Sequence, residues 1–102
     1  MKLSSKDLSS LIKFENGGIT SKVISKSKNN SVTLMCMAKG TSLEPHTSTK
    51  LASLVVLCGS GTFNLYGRSI PIRQFSFIAM PKNALHSVKA KENLAFLLFL
   101  TG

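Results

Sequence analysis

Apolar residues in this chain come in short runs, most of them alternating with polar positions, and none keeps helical spacing beyond two turns. Residues 19–26 alternate: Ile19, Ser21, Val23 and Ser25 fall on one side, Thr20, Lys22, Ile24 and Lys26 on the other. That predicts an edge strand with a wet face. Residues 32–38 are apolar on both faces except at Thr33 and predict a second strand. Residues 43–47 read as extended, because Glu44 precedes Pro45 and is pushed out of the helical region. Residues 51–58 predict a buried strand, β-branched at its centre and bounded by Ser-Thr before and Gly-Ser-Gly after. Residues 62–66 and 69–73 predict a hairpin turning at Tyr66-Gly67-Arg68-Ser69. Further strands are predicted over 75–80, ended by Pro81-Lys82-Asn83, over 85–88, carrying His86, and over 94–100, which closes the chain. Ahead of them, Ser4-Ser5-Lys6-Asp7 offers caps for a short turn with Leu8, Leu11 and Ile12 at helical spacing.

About eight or nine short strands, with turn signals every eight to twelve residues, predict an all-β barrel or sandwich. A chain of 102 residues has room for one core. The predicted organisation is one domain over 1–102, with 1–18 as an N-terminal extension packed on the barrel and 32–100 as the barrel core. A hydrophobic fraction of 43% excludes a disordered chain. The net charge of +9 favours phosphates, carboxylates and acidic surfaces. The lysines are scattered, and one Tyr with no Trp leaves no aromatic-basic cluster, which argues against nucleic acid. Cys36 and Cys58 sit in apolar runs and read as small buried hydrophobes. Residues 94–100 are too few to span a bilayer and the first residues lack a signal-peptide core, so a cytoplasmic protein without membrane contact is expected.

Two histidines carry the candidate chemistry. The segment 40–59 places His46 between two glycines, just before a continuous apolar run; His86 follows Pro81 in MPKNALH. Gly40, five residues, His46, one residue, Ser48, three residues, Ala52, six residues, Gly59 has the spacing of the first motif of the cupins. Phe75, five residues, Pro81-Lys82-Asn83, two residues, His86, three residues, Ala90 has the spacing of the second. Over residue 32 to the C-terminus the chain therefore resembles a small single-domain cupin. The resemblance implies a double-stranded β-helix, or jelly-roll barrel, and a homodimer to which 19–38 contribute; a wet edge strand in so small a barrel points to a two-fold partner as well.

The resemblance also implies where metal would sit, and this sequence departs from the pattern there. Metal-binding cupins use two histidines and a glutamate of the first motif and one histidine of the second. Here Ser48 and Ala52 replace a histidine and the glutamate, leaving His46 and His86. Zinc and non-haem iron need three or more good protein ligands, so a divalent ion (Zn, Fe, Ni or Mn) is expected at low affinity only. Strand parity puts Glu44 on the side of His46 and Ser48, making it the candidate carboxylate of a two-histidine site. Cys58 shares the parity of Ala52, which would turn its thiol inward. Met35, Met37, Met80, Phe75 and Phe77 read as core. The two imidazoles are expected to converge, with Ser48 as a hydrogen-bond partner and Leu54, Val56 and Phe77 or Met80 forming the wall.

Three functions follow from different classes. The first is a barrel that binds a small, anionic ligand through His46, His86 and Ser48, with Lys50 or Lys82 at the mouth. The second is a metal-dependent dioxygenase or isomerase in which Glu44 or the substrate completes the shell. The third is a basic module for nucleic acid or an acidic protein.

Overall fold

The computed structural model describes residues 5–102. A 3-10 turn at Leu8–Ser10 precedes nine strands: β1 (Ile19–Lys26), β2 (Asn30–Met37), β3 (Ser42–His46), β4 (Leu51–Cys58), β5 (Ser60–Leu65), β6 (Arg68–Arg73), β7 (Phe77–Met80), β8 (His86–Ala90) and β9 (Leu94–Thr101). Of the suggested caps, Asp7 caps the 3-10 turn by accepting the Ser9 amide; Ser4 lies outside the described residues.

The strands form two antiparallel sheets, ordered β1-β2-β9-β4-β7 and β3-β8-β5-β6. Alternation turns one face of each sheet inward. Met37, Ala52, Leu54, Val56, Met80, Leu94 and Phe96 from the first meet Phe63, Ile72, Val88 and Ala90 from the second in one core. This is a jelly-roll barrel whose interior is filled rather than hollow, since Phe63, Phe96, Met37 and Leu54 are all buried. The outer face of the smaller sheet is polar; there Ser69 donates to Asn64 and Asn64 to Ser87.

The larger sheet buries part of its outer face as well. Leu34, Cys36 and Ala95 lie under Leu11, Ile12 and Phe14 of the N-terminal extension. Both cysteines are free. Cys36 and Cys58 each pair with Ala95, from opposite sides of β9. Two strand spacings, roughly 10 Å, separate them, beyond the reach of a disulfide.

Several boundaries shift from the sequence reading for local reasons. The hairpin turns one residue earlier, because Tyr66 and Gly67 both have positive φ (51° and 77°) and form the two-residue loop between paired Leu65 and Arg68. β7 begins at Phe77, since Phe75 has φ 72° and stands in the preceding turn. Phe75 is 78% exposed and Phe77 64%, so neither belongs to the core. Phe77 pairs with Val55 on the outward row of the sheet, which leaves Ile78 and Met80 as the inward residues of that strand. Cys58 is also reversed: the register shifts between Val56 and Cys58, and the extra residue turns Cys58 outward beside Ala95. Gly59 beyond it has φ 87°, and a Cβ there would overlap the Asn93 carbonyl.

Candidate functional site

Both histidines lie at one end of the barrel. β3 ends at His46 and β8 begins at His86, and the two residues are register partners. Their ring centroids are 4.2 Å apart, edge to face with an interplanar angle of 63°. Their separation of forty residues in the chain is closed by strand pairing, as the motif spacing implied. His86 is buried, its ring parallel to Phe63 at 5.9 Å, so Phe63 forms a floor beneath it. His46 is exposed.

The two rings are held alike. His46 Nδ1 lies 2.8 Å from the Glu44 carbonyl oxygen and His86 Nδ1 lies 2.9 Å from that of Ala84. A carbonyl only accepts, so each Nδ1 carries the proton and donates it. Each Nε2 is left with a lone pair in the neutral ring, and both orientations are fixed by main chain two residues upstream. Burial holds the His86 imidazole below the ordinary value of 6.5; the Ala84 hydrogen bond opposes this, and neighbouring His46 adds to the lowering.

The partners differ from those the sequence suggests. Ser48 Oγ accepts the Lys50 amide, and the Ser48 carbonyl accepts the Asn83 amide. Ser48 therefore ties the β3–β4 loop to the β7–β8 loop and makes no hydrogen bond to either imidazole. Glu44 is displaced by a register shift between Leu43 and His46. Leu43 and His46 oppose the inward residues Val88 and His86, so the simple alternation linking Glu44 to His46 is broken, and Glu44 stands exposed. Ala52 faces the core. Among the described residues, no three His, Cys, Asp or Glu side chains converge as a metal set. Two imidazoles do not make the donor set that structural or catalytic zinc and non-haem iron require, so the resident metal implied by the resemblance does not fit these residues.

A groove of ≈ 530 Å³ follows β4 and β7 and is lined by Leu51, Ser53, Phe77, Ala79, Pro81 and Thr101 among others. It is apolar and contains neither histidine. Beneath the histidines, Phe63, Leu54, Val56 and Met80 are packed into the core, where an apolar pocket was expected. Tyr66, which sequence reasoning does not single out, stands at this end of the barrel at the tip of the β5–β6 hairpin. The Tyr66 amide donates to the Leu85 carbonyl, which places the hairpin tip beside His86. A tyrosine occupying a positive-φ turn position that usually holds Gly or Asn was the available signal.

Solved structures share this architecture. A cupin superfamily protein of Desulfitobacterium hafniense is 17% identical over 99% of this chain and 93% of its own, with a TM-score of 0.88. A cupin 2 conserved barrel domain protein of Leptotrichia buccalis is 29% identical over 92% of this chain and 46% of its own, with a TM-score of 0.86. Salicylate 1,2-dioxygenase of Pseudoaminobacter salicylatoxidans matches at 12% identity and a TM-score of 0.78, over 82% of this chain and 25% of its own. No family profile matches the sequence, and neither does any curated protein. The chain has the cupin fold. Cupin-fold relatives include enzymes, so the fold leaves the function to be argued from the site.

Proposed function

We propose that this protein binds a small molecule at the barrel mouth through His46 and His86, without a resident metal. The supporting observation is the imidazole pair: two rings on paired strands, each with Nδ1 clamped to main chain and Nε2 left to accept from a ligand. Such preorganisation lowers the ordering cost of binding. Lys50 and Ser48 belong to the same mouth, Lys50 as a cation on the β3–β4 loop and Ser48 as the residue that fixes that loop. A thermal-shift screen of small organic compounds tests the reading. Hits should be lost in His46→Gln and His86→Gln, and a screen whose hits survive both substitutions would move the site elsewhere.

The same clamps favour a second reading, because an Nδ1–H bonded to a carbonyl is also how histidine presents Nε2 to a metal. In that case a substrate would have to supply the remaining ligands. Glu44 is not brought to them by strand alternation. Elemental analysis of untagged protein separates the two. Sub-stoichiometric metal supports the first reading; full occupancy, abolished in His86→Ala, would establish the second.

The proposed assembly is a homodimer to which residues 19–38 contribute. β1 is an edge of the larger sheet, and Val23 on it is exposed. Among the described residues no helix is long and apolar enough to cross a membrane.

A further inference from the structure

The outer face of the larger sheet is covered on one side only. Strand pairing sets its outward side chains in rows. One row runs Leu34, Leu97, Val55, Phe77, and the next runs Val32, Phe99, Ser53, Ala79. Leu51 follows, beside Thr101. The N-terminal extension covers the β2 side, packing over Leu34 and reaching Leu97. The β4–β7 side has no such cover. Phe77 and Leu51 are exposed there. Val32, Val55 and Phe99 are partly exposed and lie outside both core clusters. Contiguous apolar surface of this kind marks a contact site rather than a free surface.

Charge limits what can cover it. Among the described residues, none of the outward positions in these rows bears a charge, in a chain whose net charge is +9. The outer face of the smaller sheet bears Lys89 and Arg73, and the edge strand β1 bears Lys22 and Lys26. Two copies meeting at either place would oppose like charges. At the β4–β7 rows they would not, and an acidic partner would find no cation in them to pair with. Shape agrees with charge. Ser53 and Ala79, both small, are register partners and help to line the groove along β4 and β7; Phe77 stands two residues along β7 on the same side. A protruding ring beside a trough on one face is self-complementary, because under a two-fold axis each copy fills the other's trough.

We infer that a second copy of this chain docks on the outer rows of β4, β7 and β9, with Phe77 of each copy in the other's Ser53–Ala79 trough. The inference rests on the homodimer proposed above and assigns its face; residues 19–38 enter that face through Val32 and not by the β1 edge. Sedimentation velocity on the full chain at micromolar concentration tests it. The unmodified protein should be a dimer that tightens from about 50 to about 500 mM salt, because salt screens the repulsion between two cationic chains. Phe77→Lys and, separately, Ala79→Lys should each raise the dissociation constant on the order of a hundredfold, since like charges then face each other across the interface. Both positions are exposed, so circular dichroism should show both variants folded. Val23→Lys, on the β1 edge, should leave the dimer intact. A dimer that survives both face substitutions would overturn the assigned face and keep the homodimer; dissociation in Val23→Lys alone would return the contact to the β1 edge. Association of the unmodified protein that weakens with salt would overturn it in favour of a contact between opposite charges. A monomer across the whole salt series would overturn the face and the homodimer together.

Discussion

His86 is the one residue at which burial, hydrogen bonding and candidate chemistry meet. Its ring is desolvated and lies beside a second imidazole, so its protonated form is less favoured in the folded chain than in the unfolded one. The unfolded chain binds its proton first as the pH falls through the ordinary value of 6.5. Stability is therefore fully present above that value and declines with acidification until the lowered folded value is passed. Melting temperature measured from pH 8 to pH 5 should fall, and His86→Gln should flatten that fall; an identical slope in the two proteins would show that His86 is not its source. Phe75 poses the opposite problem. It holds a left-handed conformation while burying almost nothing. Phe75→Gly removes the strain of roughly 1 kcal/mol that a bulky L-residue carries there. It should raise stability in urea by up to about that amount, net of glycine's greater unfolded-state entropy. A loss of stability would mean that the exposed ring makes a contact worth more than the strain.

Among the elements, the bulges decide the chemistry. An extra residue in β3 separates Glu44 from the face of His46, and another near the end of β4 turns Cys58 away from the interior. Both departures change which side chains share a face without changing where the strands lie. The N-terminal extension is the element that shields the outer face of the larger sheet. Phe14, Leu11 and Ile12 cover Leu34, Cys36 and Ala95. Phe14→Ala should cost about 2 kcal/mol, below the range for a fully buried phenylalanine because Phe14 is only half-buried. The same change should speed labelling of the Cys36 thiol under native conditions. Unaltered labelling would show that Phe14 does not close that face.

For the whole molecule, the two sheets share one filled core, and function is left to the barrel's ends. Cations stand at both ends, Lys50, Arg68 and Lys82 at the one bearing His46 and His86, and Lys39, Arg73, Lys89 and Lys91 at the other. The expected homodimer tests whether a barrel of this size needs a partner to cover its edges. Light scattering at micromolar concentration should give twice the chain mass of 11.0 kDa. A monomeric mass at that concentration would refute the dimer, and with it the role assigned to residues 19–38.

Hydrophobic alternation and turn residues are local properties, so the number and order of strands were legible from the sequence. Residues 19–26 and 51–58 were read to the residue, because each run is bounded by strong turn signals and each side chain's period is two. Motif spacing likewise pointed to the cupin fold and to the histidines that meet. Side-chain orientation beyond a bulge was not legible, because one inserted residue reverses parity and nothing in the composition of 43–46 or 56–58 marks where it falls. Nor was the exposure of Phe75 and Phe77 legible, since an aromatic residue in an apolar run looks like core until the partner strand is known. Only the tertiary structure brought Lys50, Arg68 and Lys82 to the histidine end of the barrel. Their proximity depends on which loops share an end of the barrel, and that is fixed by strand pairing between residues far apart in the chain.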